Sequence, residues 1–136
     1  MAVIEELIRK EENGTISFGN YQLDKKTKLS DFEVAGAMYK VKTFKEITKL
    51  ERNEKMLMEV VPGATVHNLD LLPNGANFQL EGVGDVQFTM ELEPSEEYKI
   101  FVDDVNVGKV KTNMSGKITV NVELANVSPV VKIEKV

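Results

Sequence analysis

The sequence predicts a mainly β protein, in which a short N-terminal helix and a small β-hairpin-rich region precede an Ig-like β-sandwich of about seven strands. Two stretches carry this prediction, DVQFTMEL (85–92) and KITVNVEL (117–124), because each places an apolar side chain at every second position. The third observation is YKIFVDDVNVGKV (98–110), where Asp103 and Asp104 occupy a two-residue turn typical of a hairpin. No helical period fits these runs.

The first element is predicted to be a helix. Val3, Ile4, Leu7 and Ile8 recur at spacings that gather on one helix face, and Gly14 ends the pattern. A helix of about three turns is marginal alone, so its apolar stripe must dock on another surface. That surface is either the β core of the same chain or a second copy.

Residues 15–61 are predicted to form short strands, punctuated by turn signals. One stretch, TFKEITKLERNEKMLMEVV (43–61), is ambiguous: Thr43 and Glu46 have the spacing of a helix capping box, while the β-branched content and the polar RNEK break favour a hairpin. We choose the hairpin. The other predicted strands of this region are TISF, NYQL, DFEV and AMYKVKTF.

The C-terminal half is predicted to contain seven strands: ATVHNLDL, ANFQLEG, DVQFTMEL, EYKIFVD, VNVGKVKT, KITVNVEL and PVVKIEKV. Folding at the two-aspartate turn places Ile100 opposite Val107 and Tyr98 opposite Lys109. Because the apolar residues beyond this point fall out of step, a β-bulge is predicted at Gly108.

A domain boundary is predicted at Pro62-Gly63, dividing the chain into an N-terminal region (1–62) and a β-sandwich domain (63–136). The first part carries 11 basic and 11 acidic side chains and the second carries 6 and 11, so the net charge of −5 belongs to the second part. Pro-Gly also fits a hairpin turn within a single domain.

The amino-acid composition restricts the classes of binding partner that the chain is expected to have. Net charge −5, with only Arg9 and Arg52 as arginines, argues against nucleic-acid binding. No apolar run approaches the roughly 20 residues of a membrane span, and residues 1–14 lack the pattern of a signal peptide, so a soluble, cytoplasmic protein is expected. The chain has no cysteine, and no cofactor is predicted.

Few residues suggest a catalytic or metal site. His67 is the only histidine, so a zinc site would need carboxylates for its other ligands, and a general base would need partners such as Thr65 or Asp70. Asp103, Asp104 and Asn106 resemble a calcium loop in composition, but the turn already accounts for them. No metal ligand and no catalytic residue is predicted, and a non-enzymatic protein is favoured.

Two charged stretches have a functional alternative. The acidic stretch of Glu91, Glu93, Glu96 and Glu97 could supply a pair of carboxylates for glycoside hydrolysis, although alternation favours a solvated strand end. A second stretch is rich in lysine, at Lys40, Lys42, Lys45 and Lys49, and could attract an acidic partner; interleaved glutamates favour a solvated, charge-balanced face.

The segments VIEELIRKEENGTISFGNYQL, YKVKTFKEITKLERNEKM, VVPGATVHNL and EYKIFVDDVNVGKVKTN resemble a family of small proteins of unassigned activity from anaerobic Gram-positive bacteria of the Clostridia type. Members of that family are sometimes labelled endosialidase, which implies a glycosidase activity. Sialidases resemble one another in holding the sialic carboxylate with three arginines, and this chain has two. The resemblance therefore supplies no site residue.

Three functions follow as expectations. The first is a structural or interaction protein that self-associates as a homo-oligomer, since small cores gain stability by burying surface between copies. The second is a glycan-binding accessory module, for which Tyr21, Tyr39 and Tyr98 are the possible stacking platforms. The third is the glycosidase that the family label implies.

Overall fold

A computed structural model of the chain describes residues 2–124 and 127–136, and these residues contain thirteen β-strands and no helix. The strands are β1 (Ile8–Lys10), β2 (Ile16–Phe18), β3 (Thr27–Val34), β4 (Ala37–Phe44), β5 (Ile47–Arg52), β6 (Lys55–Val61), β7 (Thr65–Leu72), β8 (Gly75–Glu81), β9 (Asp85–Glu91), β10 (Glu97–Val102), β11 (Val105–Lys111), β12 (Lys117–Glu123) and β13 (Val130–Lys135).

The strands form two antiparallel sheets that pack face to face as a β-sandwich. One sheet has seven strands in the order β1-β2-β7-β8-β13-β10-β11, and the other has six in the order β12-β9-β6-β5-β4-β3. Apolar side chains from both sheets meet in one hydrophobic core, and Phe78 of the seven-stranded sheet contacts Phe88 of the six-stranded sheet edge to face, with ring centroids 5.2 Å apart. The prediction of a mainly β fold is confirmed.

The predicted N-terminal helix is wrong. Its residues instead form a turn before β1, in which Leu7 donates its backbone N–H to the Ile4 carbonyl at 3.0 Å, and Ile4 donates its own N–H to the Gly19 carbonyl. Leu7 has a positive φ of 74°, which no right-handed helix contains. The apolar residues Ile4 and Ile8 are buried as expected, but Ile8 belongs to the edge strand β1 and Ile4 to the segment before it.

The hairpin at Asp103 and Asp104 is confirmed, with a small error in its register. Both residues have positive φ, 49° and 66°, as a type I′ turn requires. A bulge is present, but Ile100 pairs with Gly108 and the extra residue is Val107, one position before the predicted one. The stretch 43–61 contains β5 and β6 joined at Asn53 and Glu54, so the predicted hairpin is confirmed there.

All seven strands predicted in the C-terminal half are present, whereas NYQL (20–23) of the N-terminal half is a turn. Pro62-Gly63 lies between β6 and β7, where the chain passes from the six-stranded to the seven-stranded sheet. Each sheet contains strands from both sides of this point, and both halves contribute to the core. Within residues 2–124 and 127–136 there is no helical segment with the length and hydropathy needed to cross a membrane.

Candidate functional site

The outer face of the six-stranded sheet carries three lysines side by side on three neighbouring strands. Lys28 on β3 is directly opposite Lys42 on β4, and Lys42 is directly opposite Lys49 on β5. The alternating residues Val41 and Leu50 are fully buried, which places the lysines on the solvent side. We call Lys28, Lys42 and Lys49 the lysine row.

The lysine row is weakly compensated by acidic groups. Glu59 on β6 is opposite Lys49 and is its nearest acidic neighbour along the row. Among the ion pairs within 4.0 Å that the described residues form, none involves a lysine of the row. Partial burial lowers the pKa of Lys42, and the charges of Lys26, Lys49 and Lys28 lower it further, while Glu59 opposes them. The surface therefore concentrates positive charge around Lys42.

The register separates the lysines that the sequence grouped together. Lys40 lies directly opposite Glu51, as Lys49 lies opposite Glu59, so each has an acidic residue across one strand pair. Lys45 lies in the turn before β5, with its ammonium 3.9 Å from an Asp24 carboxylate oxygen. The charge-balanced face predicted for this stretch thus holds for Lys40 and Lys45 and on one side of Lys49, whereas Lys42 has a lysine on both sides because Lys28, which sequence reasoning missed, is opposite it.

Two kinds of side chain border the lysine row. On one side along the strands, Phe44 and Ile47 form a directly opposed, partly exposed apolar pair beside Lys42 and Lys49. Across the strands the row continues beyond Glu59 into Thr89 and Thr119, whose hydroxyl oxygens are 3.0 Å apart. This face of the sheet thus combines cationic, apolar and hydroxyl groups.

His67 lies elsewhere, on the outer face of the seven-stranded sheet, and belongs to a polar network. Its Nε2 is 2.9 Å from Glu81 Oε1, and the Tyr21 hydroxyl donates to Glu81 Oε2 at 3.0 Å. His67 is only 6% exposed. Burial raises the pKa of Tyr21, and its bond to the Glu81 carboxylate raises it further. This network attaches the turn containing Tyr21 to β7 and β8.

The two residues considered as partners of His67 have other roles. Thr65 donates its hydroxyl to the Gly19 carbonyl at 2.9 Å, and Asp70 is exposed at the outer end of β7. The arrangement around His67 thus contains a carboxylate and a phenol, without a hydroxyl nucleophile bonded to the imidazole.

A second set of hydrogen-bonded polar side chains lies at the β1–β2 edge of the same sheet. Ser17 donates its hydroxyl to Glu11 at 2.6 Å and accepts the backbone N–H of Asn68 at 3.0 Å. Arg9 donates to the other oxygen of Glu11 at 3.1 Å. The Ser17 bond lowers the pKa of the Glu11 carboxyl, against the opposing effect of burial. Glu11 therefore holds β1 to β2 as a carboxylate.

The turn residues considered for calcium are bonded to β13 and to their own hairpin. Asp103 accepts the Val130 N–H at 2.9 Å, Asp104 lies 3.1 Å from the Lys132 ammonium, and Asn106 accepts the Gly108 N–H at 2.9 Å. Within residues 2–124 and 127–136 no group of three or more His, Asp or Glu side chains is arranged to hold a metal ion.

The acidic stretch is distributed over several lysine contacts. Glu91 lies opposite Lys117, Glu97 lies opposite Lys111, and Glu93 and Glu96 both approach the Lys135 ammonium. Glu93 and Glu96 are thus ion-paired at the end of the strand, and although Glu91 and Glu93 line the same shallow depression, Glu93 is bound to Lys135 there.

The aromatic and arginine candidates are also dispersed. Tyr39 and Tyr98 are core residues, 5% and 2% exposed, and Tyr21 is held by Glu81. Arg9 lies on β1 of the seven-stranded sheet and Arg52 at the end of β5 in the other sheet. The two arginines thus stand on different sheets.

Comparison of the chain with protein-family models, with curated proteins and with solved structures found no match.

Proposed function

We propose that this protein is a non-enzymatic interaction protein that binds an acidic, partly apolar segment of a partner protein on the lysine row. One observation carries the proposal: Lys28, Lys42 and Lys49 are directly opposed on neighbouring strands without an ion-pair partner among the described residues. Like charges directly opposite one another destabilise a sheet, so the arrangement has a cost that an anionic partner would relieve. Binding sites often reduce the stability of the free protein in this way.

The neighbouring apolar pair supports a protein segment as the partner. Phe44 and Ile47 offer partly exposed apolar surface and are the next residue pair on the same sheet face after Lys42 and Lys49. A segment that alternates acidic and apolar residues would place carboxylates on the lysines and apolar side chains on Phe44 and Ile47.

A glycan is the less favoured partner. Neutral sugar rings stack on exposed aromatic faces, and Tyr39 and Tyr98 are buried in the core. An anionic polysaccharide would satisfy the lysines and could stack one sugar ring on Phe44, but it would leave Ile47 without a matching apolar group. It is therefore kept as a competing outcome of the test.

The proposal is tested by titrating a fluorescein-labelled peptide of alternating glutamate and leucine with the protein and following fluorescence anisotropy. The Lys42→Gln/Lys49→Gln variant is expected to bind about five- to tenfold more weakly, as loss of two favourable charge contacts implies. The matched control is Lys40→Gln/Lys45→Gln, which removes the same charge from lysines that already face Glu51 and Asp24. The control is expected to stay within about twofold of the wild type.

Two results would overturn the proposal. Equal weakening of both variants would mean that the peptide senses only net charge. Tighter binding of a sulfated dextran than of the peptide, with the same dependence on Lys42 and Lys49, would make an anionic polysaccharide the partner.

A further inference from the structure

Four strands form the edges of the two sheets, and three of them carry features that hinder pairing with another chain. β1 has only 3 residues, and β3 has a bulge that contains Asp31 at a positive φ of 59°. β11 combines a bulge with Lys109 and Lys111. Short length, bulges and edge lysines are the usual means by which proteins prevent edge-to-edge association.

The fourth edge strand, β12, has 7 residues and no bulge, carries a single lysine at its first position, Lys117, and pairs only with β9. Its register with β9 is regular over all 7 residues, from Lys117 opposite Glu91 to Glu123 opposite Asp85. Of the described strands, none covers its other side. Ile118, Val120 and Val122 face the sandwich interior, so the strand is held firmly in an extended conformation.

The backbone groups on the free side of β12 can be identified from its ends. The Gly116 carbonyl accepts the Leu92 N–H at 2.6 Å, and the Leu124 N–H donates to the Gly84 carbonyl at 2.8 Å, so both point toward β9. Because backbone groups alternate along a strand, those of Thr119, Asn121 and Glu123 point away from β9. The backbone N–H and C=O of Lys117 also point away from β9, but both are already hydrogen-bonded to Asn113.

Charge favours a second copy of this chain as the partner strand. Glu123 lies directly opposite Asp85, a pair of like charges at one end of β12, whereas Lys117 stands at the other end. In an antiparallel pair of two β12 strands, each Lys117 approaches the Glu123–Asp85 end of the other copy. Lysine is long enough to reach a diagonal neighbour about 7 to 8 Å away across a strand pair.

We propose that β12 pairs antiparallel with β12 of a second copy, centred on Asn121, through the free N–H and C=O groups of Thr119, Asn121 and Glu123. The two six-stranded sheets then form one continuous sheet. The lysine row lies on β3 to β5, far from β12 in the strand order, so each copy keeps its own lysine row at an outer end of that sheet.

Sedimentation equilibrium of the full chain tests this pairing. The interface is small, so we expect a reversible dimer that forms between about 1 µM and 1 mM. Asn121→Pro removes an N–H that points away from β9 and is expected to weaken dimerisation at least about tenfold, with the circular dichroism spectrum unchanged. A strict monomer over this range, or undiminished dimerisation of Asn121→Pro, would overturn the pairing.

A charge exchange tests the antiparallel orientation. Lys117→Glu and Glu123→Lys are each expected to weaken the dimer about fivefold, and the double variant Lys117→Glu/Glu123→Lys is expected to recover to within about twofold. A double variant as weak as the single variants would contradict antiparallel pairing. Lys42→Gln/Lys49→Gln is expected to dimerise like the wild type, and loss of its dimer would place the second copy on the lysine row instead of β12.

Discussion

Lys42 lies between two other lysines, and the physical consequence is a local loss of stability. Partial burial and the neighbouring ammonium groups disfavour its charged form, which lowers its pKa in the folded chain. A single unpaired lysine on a sheet surface would have little effect on stability. Three in one cross-strand row are unusual because the antiparallel register prevents them from separating.

Removing that charge is therefore predicted to stabilise the fold. Lys42→Gln should raise the free energy of unfolding by about 0.5 kcal/mol, since it removes two like-charge cross-strand pairs. Lys40→Gln is the control and should give no gain, because Lys40 faces Glu51. Urea unfolding at neutral pH measures both.

The same prediction has a pH dependence with a definite sign. A lowered folded pKa means that the unfolded chain binds more protons at Lys42, so wild-type stability at this site rises with pH. The advantage of Lys42→Gln should shrink as the pH rises through the lowered value toward 10.5. An advantage that grows in this range would contradict the assigned cause.

Glu11 shows the opposite linkage. Its pKa is lowered chiefly by the Ser17 hydroxyl, so it contributes stability above about pH 4.5 that is lost as the pH falls through the lower folded value. Ser17→Ala should cost about 1 to 3 kcal/mol at neutral pH, and the cost should diminish at an acid pH below the lowered pKa of Glu11, where that carboxylate is protonated. Urea unfolding at both pH values checks this, with Ser115→Ala as an exposed control. A cost that does not change with pH would mean that Ser17 acts through Asn68 alone.

At the level of secondary-structure elements, turn residues and apolar alternation predicted the strands and hairpins whose conformation depends on one short segment of sequence. The pair Asp103 and Asp104 indicated a two-residue hairpin turn, and the structure has one, with both residues at positive φ. The helix prediction was wrong because Ile4, Leu7 and Ile8 are compatible with one helix face, while backbone hydrogen bonds of Ile4 and Leu7 with Gly19 hold the segment in a turn against β2. Tertiary contacts overrode a short periodic pattern there.

The lysine row could not be predicted from any one segment. Lys42 and Lys49 come from adjacent strands, but their opposition depends on the length of the turn between β4 and β5. The position of Lys28 depends further on a bulge in β3 that shifts the register. A change of one residue in either place would move a lysine to the other face.

Gly116 shows how one residue positions a whole strand. It precedes β12 with φ of 81°, and a Cβ at this position would lie 2.2 Å from the Leu92 carbonyl oxygen. Gly116→Ala is predicted to destabilise the fold by more than about 1 kcal/mol, because both the backbone conformation and the contact with β9 oppose a side chain.

Gly36 provides the matched control for this prediction. Its φ is 80°, but a Cβ at this position would have no atom within 4 Å. Thermal unfolding should show a smaller loss for Gly36→Ala than for Gly116→Ala. Equal losses would mean that the close approach to Leu92 contributes nothing.

At the scale of the whole molecule, each sheet joins strands from both sides of Pro62-Gly63, through β2–β7 in one sheet and β6–β9 in the other, and all share one core. Phe88→Ala is predicted to cost about 3 to 5 kcal/mol, since Phe88 is fully buried against Phe78. Amide hydrogen exchange should then accelerate in β4 and β5 as well as in β8, because both halves unfold together. Faster exchange confined to residues 63–136 would instead indicate two separate domains, and the exposed Val105→Ala is the control.

The central claim is that the lysine row binds an acidic protein segment, and residue-resolved NMR tests it most directly. Titration of 15N-labelled protein with the alternating glutamate and leucine peptide should shift the amide signals of Lys28, Lys42 and Lys49 together with those of Phe44 and Ile47. The amide signals of Lys40 and Lys45 should move less. Shifts spread evenly over all lysines, or confined to the seven-stranded sheet, would contradict the claim.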